Sequence, residues 1–174
     1  MVTLVTLASA CASSEEHPLP AKLTLGGMAG VSWGARLADI RKAWQVPIHV
    51  LHSFSGSNSY AIAALCVEEQ HGMLHFTSGH LDEMDFFGGT LTDRGVGIGS
   101  TRTQLRQAYG ARVELRDTGS NYYEAFRVTS TGARPRKTID FYLNTSVGRV
   151  EMVSYGLRER STDYPAEGAA GIDC

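Results

Sequence analysis

Gly34-Ala-Arg-Leu-Ala-Asp-Ile-Arg-Lys-Ala-Trp44 decides the fold prediction for this chain, because a similar stretch returns as Gly99-Ser-Thr-Arg-Thr-Gln-Leu-Arg-Gln-Ala-Tyr109. The offset between the two stretches is constant, so Gly34 aligns with Gly99 and Trp44 aligns with Tyr109. In both copies the apolar residues recur at the spacing of one helix face. The pattern therefore predicts a duplicated unit with one helix in each copy.

The ends of the two predicted helices differ in their capping residues. Thr101 and Gln104 fit a capping box at the start of the second helix, and Gly110 fits its end. In the first copy Arg36 stands at the position of Thr101. We therefore expect the first helix to be the less securely capped of the two.

Two predicted hairpins follow the helices, with their turns at Gly79 and Gly148. After each turn the apolar residues are spaced by three and then by two, where a regular strand has a period of two. One extra residue at the same place in both strands explains this spacing, so the sequence predicts a β-bulge in each. The apolar series are Leu81, Met84 and Phe86 in the first copy and Val150, Val153 and Tyr155 in the second.

These signals predict an α+β fold of two tandem repeats, each a turn, one helix and an antiparallel meander of three or four strands. Repeat one spans 23–88, repeat two spans 95–160, and the segment 88–95 links them. A C-terminal tail follows repeat two. With 174 residues the chain is long enough to bury one core, so we expect residues 23–174 to form a single domain.

The N-terminus has the features of an export signal. Residues 1–11 are an apolar run that ends in small residues and Cys11, and the polar stretch 12–22 is suited to a flexible tether. The run resembles a bacterial lipoprotein signal, in which Cys11 would carry the lipid. Ala8-Ser9-Ala10 also fits ordinary signal cleavage after Ala10, and a third interpretation is an apolar terminus too short to span a bilayer.

Cysteine usage is consistent with export. If Cys11 carries lipid, Cys66 and Cys174 remain, and a pair of cysteines in an oxidising compartment indicates a disulfide. The alternative is two unrelated buried thiols. The formal net charge of −2 provides no broad basic face for phosphate groups, so we expect no nucleic-acid partner.

Tyrosines are the candidate binding residues. Tyrosine offers a rigid apolar area with a polar tip, which suits protein interfaces. We expect four tyrosines to line the open face of the sheet, the alternative being half-buried packing partners. They are Tyr60, Tyr122, Tyr123 and Tyr155.

Histidines and acids cluster in the first copy, at His71, His75, His80, Asp82 and Asp85. Two positions apart on a strand, His80 and Asp82 would share one face, which is compatible with two metal ligands. The ordinary interpretation is a pair of solvated strand-face side chains, so the sequence predicts no metal and no cofactor, and the ligand pair is the alternative.

A family resemblance rests on Gly97-Ile-Gly-Ser-Thr-Arg-Thr-Gln-Leu-Arg-Gln-Ala-Tyr-Gly110, the echo at Gly34, the Gly148-Arg-Val hairpin and the tail Tyr164-Pro-Ala-Glu-Gly168 before Cys174. The chain resembles a group of small bacterial exported proteins and lipoproteins with two copies of this element. More distantly, its plan is similar to the β-lactamase inhibitory protein and to small outer-membrane assembly lipoproteins, which bind other proteins. The aromatic and cysteine pattern of a β-lactamase inhibitor is not evident here, so that activity is not implied.

The resemblance implies a non-enzymatic exported protein, a lipoprotein anchored in the bacterial envelope at the periplasm or cell surface. It would bind or scaffold an envelope protein and contact the membrane through its lipid. The alternative hypothesis is an envelope hydrolase or metal-binding protein that uses the histidines and aspartates of the first repeat.

Overall fold

An eight-stranded antiparallel sheet forms the frame of the protein. The computed structural model describes residues 22–46, 48–54, 60–67, 70–132 and 136–157, and it gives only the backbone for those between 51 and 70. No helix within these ranges is long and apolar enough to cross a lipid bilayer. Tether residues 12–21 and the tail beyond 157 lie outside the described residues, and the first strand begins at Lys22.

The elements of the first half are β1 (Lys22–Thr24), β2 (Gly27–Met28), β3 (Val31–Ser32), α1 (Leu37–Trp44), β4 (Ile48–Phe54), β5 (Tyr60–Val67), β6 (Gln70–Thr77) and β7 (His80–Phe86). The second half contains β8 (Leu91–Thr92), α2 (Arg102–Tyr109), a 3-10 turn (Gly110–Arg112), β9 (Val113–Arg116), β10 (Tyr123–Thr129), β11 (Thr138–Asn144) and β12 (Arg149–Gly156). Each helix is thus followed by four consecutive antiparallel strands.

The strand order is β4-β5-β6-β7-β12-β11-β10-β9, so the last strand of each four-stranded meander lies at the centre of the sheet. There β7 and β12 pair antiparallel, with Met84 opposite Tyr155 and Phe86 opposite Val153. A smaller sheet, β3-β2-β1-β8, includes a parallel pair between β1 and β8. The predicted linker 88–95 therefore contains a strand, which the sequence analysis missed because β8 has only two residues.

Both predicted bulges are present. The register between β6 and β7 shifts by one residue and leaves Asp82 without an opposite partner. The register between β11 and β12 shifts in the same way at Glu151. The three-then-two spacing of apolar residues is therefore confirmed as the signal of a bulge in each strand.

One hydrophobic core holds the helices against one face of the large sheet. Ile40 and Trp44 of α1 and Leu105 and Tyr109 of α2 belong to the same buried cluster. The strands contribute the alternate residues that face the helices, among them Leu74, Phe86, Phe126, Phe141 and Tyr155. Because side chains alternate along a strand, the residues between them lie on the opposite face, which we call the second face.

The helix ends match the predicted difference in capping. In α2, Thr101 Oγ1 accepts from the Gln104 amide at 3.3 Å, and Gln104 Oε1 accepts from the Thr101 amide at 2.8 Å. In α1, Asp39 accepts from the Arg36 amide at 3.4 Å, while the Arg36 side chain makes no capping hydrogen bond. An arginine has no acceptor to offer, so only half of the box forms at α1.

We expect Arg36→Thr to raise the free energy of unfolding by up to about 1 kcal/mol, because threonine would supply the missing acceptor. The matched change Thr101→Ala should lower it by about 1 kcal/mol for the opposite reason. Urea unfolding of both variants checks this. A Thr101→Ala variant as stable as the parent would contradict the capping argument.

Candidate functional site

A row of polar residues crosses four strands of the second face. Asp85 on β7 lies opposite Ser154 on β12, which lies opposite Asp140 on β11, which in turn lies opposite Arg127 on β10. Their exposed fractions are 2%, 6%, 6% and 2% in that order. Burial of charged groups is costly unless they are paired, so this row is an unusual feature of the sheet.

Arg127 and Asp140 form an ion pair that contains two hydrogen bonds. Arg127 Nε donates to Asp140 Oδ1 at 2.6 Å, and Nη2 donates to Oδ2 at 2.7 Å. The planar guanidinium and the carboxylate match each other in this two-bond geometry. The pair thus neutralises two buried charges on neighbouring strands.

A second cluster joins β6, β7 and β12. His75 Nε2 lies 2.8 Å from Asp85 Oδ2, and Ser154 Oγ donates to Glu83 Oε1 at 3.1 Å. The other carboxylate oxygen of Asp85, Oδ1, is buried and accepts no hydrogen bond from the described residues. One donor atom each of His75, Glu83 and Asp85 lies within 4.8 Å of the others. We call these three residues the His75 cluster.

A small apolar cluster lies beside this polar row. Ala125, Tyr142 and Met152 are buried there. Burial, and after it the negative charges of Asp140, Asp85 and Glu83, raise the pKa of Tyr142 above its usual value. Tyr142 is therefore a neutral phenol at neutral pH.

The bulge residue Glu151 extends the second face toward one end of the sheet. Its Oε2 accepts from the Tyr123 hydroxyl and from Asn144 Nδ2, each at 3.1 Å. A bulge redirects the side chain of the extra residue. Glu151 thereby ties β10, β11 and β12 together through side chains.

Of the four tyrosines predicted to line an open face, the structure describes the side chains of three, and these three do not share one face. Tyr122 is 69% exposed in the loop before β10, and Tyr123 is half-buried at the start of that strand. Tyr60 begins β5, a strand of which the structure gives the backbone alone. The prediction is wrong for Tyr155, which is 0% exposed in the core and accepts a hydrogen bond from Trp33 Nε1 at 3.2 Å.

His80 and Asp82 do not form the ligand pair that the sequence offered as the alternative to solvated side chains. His80 is exposed, and its Nδ1 lies 2.8 Å from the Gly34 carbonyl oxygen. Asp82 Oδ2 instead accepts from the Thr77 hydroxyl at 2.6 Å. Asp82 is the bulge residue of β7, so the two-residue alternation on which the prediction depends does not hold there.

The structure does not describe the side chains of the predicted lipidation and disulfide residues. Cys11 and Cys174 lie outside the described residues, and so does the alternative cleavage point at Ala10. Cys66 belongs to β5, opposite His71 on β6, in the part described by backbone alone. The lipid anchor and the disulfide stay predictions.

Sequence reasoning missed most of the polar row. Arg127 and Asp140 each stand between apolar neighbours in their strands, which was a usable signal for a buried ion pair. His75 and Asp85 were part of the histidine and aspartate cluster seen in the sequence, but their spacing gave no reason to prefer them. Ser154 joins them only through the pairing of β7 with β12.

The two buried tyrosines predict alkaline instability. Burial raises the pKa of Tyr155 and of Tyr142, so both stay neutral in the folded state where the unfolded chain ionises near pH 10. Their contribution to stability is therefore present below about pH 10 and is lost as the pH rises above it. The urea midpoint should be lower at pH 10.5 than at pH 8, and the difference should be smaller in Tyr155→Phe. An equal difference in this variant would contradict the role given to Tyr155.

No protein-family model matches the chain, and no curated protein matches it. Among solved structures, a cysteine-rich secretory protein from Staphylococcus aureus is 8% identical, with 75% of this chain and 50% of that chain covered and a TM-score of 0.49. An extracellular protein containing an SCP domain from Bacillus anthracis is 10% identical, with 71% and 43% covered and a TM-score of 0.47.

A DUF4309 family protein from Bacillus subtilis is 13% identical, with 80% of this chain and 88% of that chain covered and a TM-score of 0.48. The match spans half or less of the Staphylococcus and Bacillus anthracis chains. At these levels of similarity none of the three assigns a family or a function to the chain.

Proposed function

We propose that this protein is a non-enzymatic, exported envelope protein that binds another protein through the second face of its large sheet. The observation that carries the proposal is the placement of both helices on the other face, in one core cluster. Within the described ranges, the second face is left to the polar row and its neighbours. The row itself is buried, so a partner would contact the exposed residues at the edge of this face, of which Glu114 on β9 is one.

We further propose that the sheet arose by duplication of a unit of one helix and four strands. Two features support this. The two bulges fall on acidic residues, Asp82 and Glu151, at matching places in β7 and β12. The central pairing is also symmetric. Between the copies Met84 aligns with Val153 and Phe86 aligns with Tyr155, and in the sheet Met84 lies opposite Tyr155 while Phe86 lies opposite Val153.

The partner we propose presents basic side chains. On the described part of the second face, Arg127 is matched by Asp140, while the half-buried Glu151 adds a carboxylate. Glu114, opposite Arg127 at the edge strand, has a side chain that is 64% exposed, and its Oε2 lies 3.9 Å from Nη1 of Arg116. Complementary charge mainly sets the rate and selectivity of such an encounter.

Reversal of one charge on the second face, with a matched reversal elsewhere on the surface, tests this function. Glu114→Arg changes the second face, and Asp93→Arg makes the same charge change at an exposed turn next to β8. In affinity purification from producing cells, a protein recovered with the parent and with Asp93→Arg should be lost with Glu114→Arg. Equal recovery with both variants would contradict the proposed face.

Anchoring by lipid is proposed from the sequence of residues 1–11. Intact mass of the protein from the membrane fraction should reveal a diacyl or triacyl adduct, and Cys11→Ala should move the protein out of that fraction. A Cys11→Ala precursor that still partitions with membranes would contradict the anchor, and cleavage after Ala10 would favour a secreted form. His80 and Asp82 bond to different partners, so they give the hydrolase alternative no catalytic pair.

A further inference from the structure

We infer that His75, Glu83 and Asp85 form a binding site for one divalent transition-metal ion, for which Zn²⁺ is the best match. The inference is independent of the protein-binding function, because it depends only on the donors of β6 and β7. His75 lies directly opposite Glu83, and Asp85 follows two residues later on the same face. The strand register itself therefore brings one imidazole and two carboxylates together.

The distances are close to those of a coordination shell. Ligands held about 2.0–2.2 Å from a tetrahedral zinc ion are about 3.3–3.6 Å apart. The three donor atoms lie within 4.8 Å of one another, and His75 Nε2 is already 2.8 Å from Asp85 Oδ2. Side-chain rotations on a fixed backbone would have to shorten these separations by at most about 1.5 Å to close the shell.

The charge balance of the His75 cluster also calls for a cation. Two carboxylates face one imidazole, which carries at most one positive charge. A divalent ion would neutralise the two carboxylates at once.

An independent observation concerns the second oxygen of Asp85. Asp85 is 2% exposed, and its Oδ1 is buried and accepts no hydrogen bond from the described residues. A buried carboxylate oxygen without a hydrogen bond costs more than a neutral acceptor in the same position, because it is charged. If Asp85 binds a metal ion through Oδ1, the ion satisfies this oxygen. If Asp85 binds the ion through Oδ2, the hydrogen-bond partner of Oδ2 becomes free to bind Oδ1.

The donor set selects the class of ion. Imidazole suits zinc, copper, iron and nickel, whereas carboxylates suit harder ions, and zinc accepts both. Ser154 donates to Glu83 and would hold its carboxylate in place, as outer-shell hydrogen bonds do in metal sites. Three protein donors leave at least one position of a tetrahedral ion for a water molecule or a further donor.

Calorimetric titration of the untagged, chelator-treated full chain with Zn²⁺ tests the site. We expect one ion per chain, with binding weakened by at least about 100-fold in His75→Gln and in Asp85→Asn. The matched controls His80→Gln and Asp82→Asn remove a histidine and an aspartate outside the site, and they should leave binding unchanged. No binding by the parent, or equal binding by Asp85→Asn, would overturn the inference.

A second measurement covers the case in which a variant does not fold. Binding to the folded state raises the melting temperature, so Zn²⁺ should raise that of the parent and of His80→Gln alike. Co²⁺ bound to the parent should give visible absorption bands that Zn²⁺ abolishes. Absence of both effects in the parent would overturn the site whatever the variants do.

Discussion

Replacing Arg127 with alanine is expected to lower the free energy of unfolding by about 3 to 5 kcal/mol, because it leaves the Asp140 carboxylate buried without its partner. Arg127 is 2% exposed, and both of its hydrogen bonds to Asp140 would be lost. Asp140→Ala should also lower the free energy of unfolding, because the buried guanidinium loses the carboxylate with which it pairs. Urea unfolding monitored by circular dichroism measures both effects.

The matched control removes both charges together. Arg127→Met combined with Asp140→Leu replaces the pair with apolar side chains of similar length, and such replacements are often neutral or stabilising by about 1 to 4 kcal/mol. We therefore expect the double variant to be at least as stable as the parent. If Arg127→Ala costs less than about 1 kcal/mol, the pair is not buried as described.

Truncation of Phe86 is expected to have a comparable effect for a different reason. Phe86 is 0% exposed on the central strand β7, opposite Val153 of β12 and Gly72 of β6. Phe86→Ala removes a large apolar side chain between two strands that cannot close the gap, and we expect a loss of about 3 to 5 kcal/mol.

The environment of Phe86 is fixed on the side of β6 by Gly72. A Cβ atom at Gly72 would lie 2.7 Å from the Asp85 carbonyl oxygen and 3.1 Å from the Phe86 ring. The control is Leu115→Ala on the edge strand β9, where the side chain is 60% exposed and the expected change is within about 0.5 kcal/mol. Equal losses for the two variants would contradict the position of the core at the β7–β12 junction.

The helices and hairpins could be predicted because their signals are local. Leu37, Ile40 and Trp44 mark the face of α1 that packs on the sheet, and Gly148 marks the turn before β12. The bulges were also predictable, since a break in the two-residue period is visible within a single strand. These elements needed no knowledge of which strands become neighbours.

The second face could not be predicted in the same way. Asp85 and Ser154 meet only because β7 pairs with β12, and nothing within either strand encodes that pairing. The mistaken placement of Tyr155 has a related cause. Tyr155 was assigned by its residue type, although its spacing from Val150 and Val153 already places it with the core residues beyond the bulge.

The most direct test of the central claim, that the second face is where this protein acts, is photo-crosslinking in the cells that produce it. A benzophenone side chain is introduced at Glu114 on the second face or at Gln107, which is exposed on α2. We predict a discrete protein adduct from position 114 and none from position 107. The same adduct from both positions, or an adduct from position 107 alone, would contradict the claim.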